Sequence, residues 1–96
     1  MFIINLTYTS KLEKIDQLLE AHVKFLDSHY KSGHFLASGR KVPRTGGIIL
    51  SDVSSKSALE KIIEEDPFKQ NKLAAYEIIE FVPSKTRKEL GFLLKS

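Results

Sequence analysis

Three features of this 96-residue sequence predict an α+β fold, a four-stranded antiparallel sheet with helices on one face. Residues 2–8, 34–41, 47–53 and 73–82 have strand character. Residues 10–32 and the segment after Ser54 repeat apolar residues at three-and-four spacing, which gathers them on one helical stripe. The order is therefore strand, helix, strand, strand, helix, strand. The short link between the second and third strands makes them an antiparallel hairpin, and split βαβ units of this kind close into one sheet.

Each element has its own justification. Residues 2–8 alternate, with Phe2, Ile4, Leu6 and Tyr8 on one side and Ile3, Asn5 and Thr7 on the other, a strand with one wholly apolar face. Thr9 or Ser10 offers a helix N-cap, and Glu13, three residues after Ser10, completes a capping-box pattern. Along the helix, Leu12, Ile15, Leu18, Leu19, Val23, Phe25, Leu26 and Tyr30 fill one arc, and Gly33 can take the left-handed conformation that ends it. Pro43 and the Gly46-Gly47 pair bracket a turn, after which the third strand carries Ile48-Ile49-Leu50. Ser54, Ser55 or Ser57 can cap the second helix, whose buried stripe is Ala58, Leu59, Ile62 and Ile63. Asp66-Pro67 stops that helix, because a residue before proline is pushed out of the helical region. A turn or short helical piece follows over 68–72, Pro83 ends the last strand, and residues 86–94 make a short terminal helix. The result is one domain over 1–96, its core spanning 2–83, in the ferredoxin-like arrangement.

Composition narrows the class. An apolar fraction of 42% with 28% charged residues is that of a soluble globular chain. With no cysteine, disulfides and thiolate metal ligands are excluded. Met1-Phe2-Ile3-Ile4-Asn5 lacks the basic start of a signal peptide, and no stretch approaches the ~20 apolar residues that span a bilayer, so a cytoplasmic protein without membrane contact is expected. The net charge of +3 is spread thinly, with small clusters at Arg40-Lys41-Val42-Pro43-Arg44 and Lys85-Thr86-Arg87-Lys88. These read as solvated surface able to draw in a small anion. RNA-recognition domains share the element order but stack bases on aromatics of strands one and three. Here the third strand has none, and Phe2 and Tyr8 of the first are assigned to the helix side, so no nucleic-acid partner is expected.

Helices on one face leave the other bare. Ile3, Ile48 or Leu50, and Ile79 or Ile78, according to register, would leave sizeable apolar area in water there. A partner sheet is the remedy, which predicts a homodimer packed sheet to sheet.

His22 falls inside the apolar arc of the first helix, flanked by Ile15, Leu18, Leu19, Phe25 and Leu26. A buried imidazole must be hydrogen-bonded, since leaving it unpaired costs a few kcal/mol. Its partner is either a backbone carbonyl, making it a core histidine, or a functional group. A shared metal is not expected: His29 lies two turns, about 10 Å, along the helix from His22, and His34 lies past the helix end.

His22 on the first helix, Gly33-His34-Phe35-Leu36-Ala37-Ser38-Gly39 leading into the second strand, and Asp66-Pro67-Phe68 after the second helix occur in an informative order. In these the chain resembles the YCII (YciI-like) family, part of the dimeric α/β-barrel group of ferredoxin-like proteins, over roughly residues 2–83. The resemblance implies a dimer with a small pocket in each subunit, where the helix-one histidine and the Asp-Pro aspartate lie close together. Some YCII-like proteins act in the breakdown of aromatic compounds, including dehalogenation-type eliminations. The sequence departs from the commoner pattern at Lys41-Val42-Pro43-Arg44, where a Gly-Pro step is expected at the pocket rim.

A histidine beside a carboxylate can act as a general base, the carboxylate fixing the tautomer and stabilising the imidazolium. That makes His22 the acid/base candidate and Asp66 its orienting partner. Asp before Pro is equally a stock helix start, and both roles are compatible if one oxygen caps while the other meets His22. Ser38 offers a hydroxyl, and Gly39 permits close backbone approach or marks a bulge. Arg40 can fork onto a carboxylate or phosphate, and Phe68 completes the ligand contacts. The expectation is a cofactor-free lyase- or hydrolase-type enzyme acting on a small, aromatic or anionic molecule. The alternative is a non-catalytic dimeric binding or sensor module in which His22 and Asp66 tie the helices together.

Overall fold

In the computed structural model, residues 1–94 are described, so the last two residues of the expected 1–96 domain lie outside the described residues. The elements are β1 (Phe2–Tyr8), α1 (Leu12–Lys31), β2 (Phe35–Arg40), β3 (Gly46–Ser51), α2 (Lys56–Ile63), α3 (Pro67–Gln70) and β4 (Ala74–Glu80), followed by a 3₁₀ helix (Lys88–Leu93). The sheet order is β2-β3-β1-β4 with every pair antiparallel. The ferredoxin-like α+β architecture read from the element order is therefore the one observed.

Alternation in β1 builds the core. Phe2, Ile4 and Leu6 are buried in one cluster with Ile15 and Phe25 of α1, Leu59, Ile62 and Ile63 of α2, and Phe68 of α3. Each such side chain contributes roughly 1.5–3 kcal/mol when fully buried. Gly46 lets β3 approach β1: a Cβ there would lie 1.9 Å from the Leu6 carbonyl oxygen. Gly33 ends α1 with φ +80, as its position foretold. Of the three candidate serines, Ser55 caps α2, accepting the Ala58 N–H.

Some expectations need correcting. α1 begins at Leu12 after Lys11, with no side-chain cap, so the Ser10–Glu13 capping box is not made. Thr9 is committed elsewhere: its N–H and hydroxyl bond the carbonyls of Leu73 and Lys72, tying the end of β1 to the start of β4. The apolar arc of α1 is also wider than this chain covers, since Leu12, Leu19, Val23 and Tyr30 stay exposed. The irregularity in β2 falls between Phe35 and Ala37, while Gly39 pairs regularly with Ile48. The terminal segment is a 3₁₀ helix, Lys88–Leu93, with Gly91 inside it and Leu90 and Phe92 exposed, rather than an α-helix over 86–94.

Register settles the open face. Ile3 stands opposite Leu50 on β3 and Ile79 on β4, and Asn5 opposite Ile48 and Glu77. Ile3, Ile48, Leu50 and Ile79 thus share the face away from the helices, whereas Ile78 packs on the core. Ile79 is 45% exposed. Among the described residues no helix is long and apolar enough to cross a membrane.

Candidate active site

The site grows from the end of α2. After Ile63 the chain leaves the helix, and Asp66 caps α3 with Pro67 at its first position. The Asp66 carboxylate is 0% exposed and accepts three hydrogen bonds. Its Oδ1 takes the Phe68 N–H at 3.0 Å and lies 2.8 Å from His22 Nδ1, while Oδ2 takes the Tyr76 hydroxyl at 2.5 Å. The expected split, one oxygen for the cap and one for His22, is therefore corrected: cap and imidazole share Oδ1, because Tyr76 occupies the other. Tyr76 was missed by the sequence reading. The available signal was alternation in β4, which sets Tyr76 with Ala74 and Ile78 on the core side, where a tyrosine hydroxyl needs a partner. Burial, and then the Asp66 charge, push the Tyr76 phenol well above its usual range, so it stays a donor.

This geometry orients the histidine. An ionised carboxylate only accepts, so Nδ1 carries the hydrogen and Nε2 keeps a lone pair. Among the described residues Nε2 has no hydrogen-bond partner, and the His22 side chain, 12% exposed, lines a cavity. The ring stacks on Phe68 at 4.2 Å and 11°, and Tyr8 meets Phe68 edge-on at 6.0 Å, bracing the ring on which the imidazole lies.

The cavity has a volume of about 180 Å³. An engineered apolar cavity of about 150 Å³ admits benzene, so one substituted ring is the size that fits. Its walls include Leu19, Leu26 and Phe68, and its polar side chains are Tyr8, His22, Ser38 and Arg40. Five of the six residues singled out from sequence, His22, Ser38, Gly39, Arg40 and Phe68, line this cavity, and the sixth, Asp66, stands behind His22. Tyr30 donates to Ser38 Oγ at 2.6 Å, leaving the Ser38 hydrogen to turn elsewhere. Arg40 has no carboxylate partner among the described residues. At the departing loop, Lys41 bonds Thr7 and Arg44 pairs with Asp16, a hydrogen bond that raises the Arg44 pKa above its ordinary value. A second histidine group, His29 with His34 and Glu65, lies apart from the cavity. Among the described residues, no group of three His, Cys, Asp or Glu side chains is arranged to hold a metal.

Fold and site together define a ferredoxin-like α+β domain with a histidine–carboxylate pair at a ring-sized pocket. The chain belongs to the YCII family: the YCII-related domain model matches residues 1–82. No curated protein sequence matches it. Among solved structures it is similar to 5-chloro-2-hydroxyhydroquinone dehydrochlorinase from Burkholderia phenoliruptrix, determined in complex with 2,5-dihydroxybenzoquinone. The TM-score is 0.73 at 18% identity, covering 83% of this chain and 91% of the other, a likeness of fold.

Proposed function

We propose that this protein is a small lyase-type enzyme in which His22 moves a proton on a ring-sized substrate and Asp66 orients and charges it. The observation that carries this reading is the 2.8 Å His22–Asp66 contact behind a bare Nε2 on a cavity-lining ring. Nε2 takes a proton from a substrate hydroxyl or acidic carbon, and the electron pair left behind drives out a leaving group such as halide. The imidazolium, stabilised by Asp66, then returns its proton to water, so the net loss is H–X. Arg40 balances an anionic substituent, and Ser38 offers a hydroxyl. No cofactor is needed for this step. The fold likeness to a dehydrochlorinase with a bound quinone supports a substrate of that class, and the cavity volume agrees with one ring.

We further propose that the working unit is a homodimer joined through the open sheet face, where Ile3, Ile48, Leu50 and Ile79 form the apolar surface.

Chloride release from 5-chloro-2-hydroxyhydroquinone is the test. The wild type is expected to release it, and His22→Gln to be slower by at least about 100-fold, the usual worth of a general base, while still folding. Equal rates in the two proteins would remove His22 from the chemistry, and a silent wild type would remove dehydrochlorination.

A further inference from the structure

Two glycines stand side by side at the start of β3, and close backbone packing accounts for only one of them. At Gly46 a Cβ would collide with the Leu6 carbonyl, so no side chain fits there. Gly47 is under no such constraint. Its φ lies outside the left-handed region. Apart from its chain neighbours, a Cβ built on it would meet a single atom within 4 Å, the Gly39 carbonyl oxygen at 3.1 Å. A shift of a few tenths of an ångström relieves that contact, and no side chain occupies the space.

Register shows where that space lies. Residues directly opposite one another on paired strands share a face of the sheet. Arg40 pairs with Gly47, Gly47 with Leu6, and Leu6 with Tyr76, which makes one row on the helix-covered face. Ser38, Ile49, Ile4 and Ile78 make the next row on that face. There Ile49 and Ile4, 3% and 0% exposed, fill the gap beneath the helices. Gly47 holds the place that Ile49 holds one row on, and fills nothing. Gly47, Arg40 and Leu6 all line the cavity, with Leu19, His22 and Leu26 of α1 across it. Bare backbone is therefore the floor of the pocket.

We propose that Gly47 is the specificity-determining residue of this pocket, the seat on which a flat, acidic, oxygen-bearing ring lies with an ionised oxygen toward Arg40 and its reacting edge toward His22. A planar ring can rest its face on a glycine strand at van der Waals distance, whereas a ring with substituents out of its plane needs the same space twice. Arg40 stands beside Gly47 in the same row, so the charge falls at the edge of the ring and not under it. The reacting edge at His22 rests on the acid/base reading above; the seat over Gly47 does not, because it is a matter of binding.

The test uses the full chain with 2,5-dihydroxybenzoquinone as probe, followed by calorimetric titration and by intermolecular NOEs. In the wild type the ring hydrogens of the probe should show NOEs to the two Gly47 Hα atoms. Gly47→Ala sets a methyl group in the space of the ring and should weaken binding at least about tenfold, the scale of overpacking a fitted space. Gly47→Val should abolish binding. Gly91→Ala, in open space away from the pocket, should bind as the wild type does. Arg40→Gln should weaken binding too, by a factor that shrinks as salt is raised. Thermal unfolding reports whether each variant is folded, and the wild-type NOEs decide alone if a Gly47 variant is not. A wild type that does not bind the probe overturns the proposal, as do NOEs confined to another surface or a folded Gly47→Ala with wild-type affinity. A probe seated over Gly47 in a protein that releases no chloride would keep the seat and remove dehydrochlorination. Chloride release without NOEs to Gly47 would keep the chemistry and remove the seat.

Discussion

Asp66 is a buried carboxylate held by three donors, none of them from Lys or Arg. Asp66→Asn puts an amide N–H₂ among those donors and removes the charge that polarises His22. It should cost ~3 kcal/mol in urea unfolding, the scale of breaking a buried charged pair. Tyr76 supplies a pH dependence. Its folded pKa is raised above the unfolded value of about 10, so its contribution is complete below that pH and is lost as pH climbs through the folded pKa. Stability measured by unfolding on the alkaline side should therefore fall progressively in the wild type. Tyr76→Phe should start less stable, by about 1.5–3 kcal/mol for a hydrogen bond to a charged group, and lose less with alkali. His22 and Asp66 were legible because a polar ring in an apolar arc demands a partner and Asp-Pro places a carboxylate at a helix start. Tyr76 was not, because nothing in a strand tyrosine says which acid lies 10 residues away across a helix turn.

Within the elements, local chemistry and long-range commitments compete. Ser55 caps α2 without rival, and Ser55→Ala should cost ~1 kcal/mol by thermal or urea unfolding. The capping box at the start of α1 was well formed in sequence and absent in the fold, because Thr9 is drawn to the β4 lead-in and the helix starts later. Periodicity showed where α1 lies and could not show how much of its arc a single chain would cover. Gly46 lies so close to Leu6 of the neighbouring strand that a Cβ there would collide with its carbonyl. Gly46→Ala should disrupt the β1–β3 pairing and abolish cooperative unfolding, whereas at Gly91, with open space around it, the same change should leave folding intact.

At the scale of the whole molecule, element order was enough to foresee the sheet, its helix-covered face and its bare one. Register was not, since Ile78 and Ile79 are neighbours that point to opposite faces, and the pairing of β4 with β1 decides between them. With Ile79 outward, the apolar face runs across β3, β1 and β4. If that face joins two copies, Ile48→Lys should yield monomers by light scattering while circular dichroism stays unchanged.

The account depends above all on which nitrogen of His22 holds the hydrogen. A ¹⁵N correlation spectrum of the His22 ring, recorded where the imidazole is neutral, reads this without a substrate. The geometry predicts Nδ1–H toward Asp66 and a bare Nε2 facing the cavity. A hydrogen found on Nε2 would leave the pocket without a base and contradict the mechanism at its root.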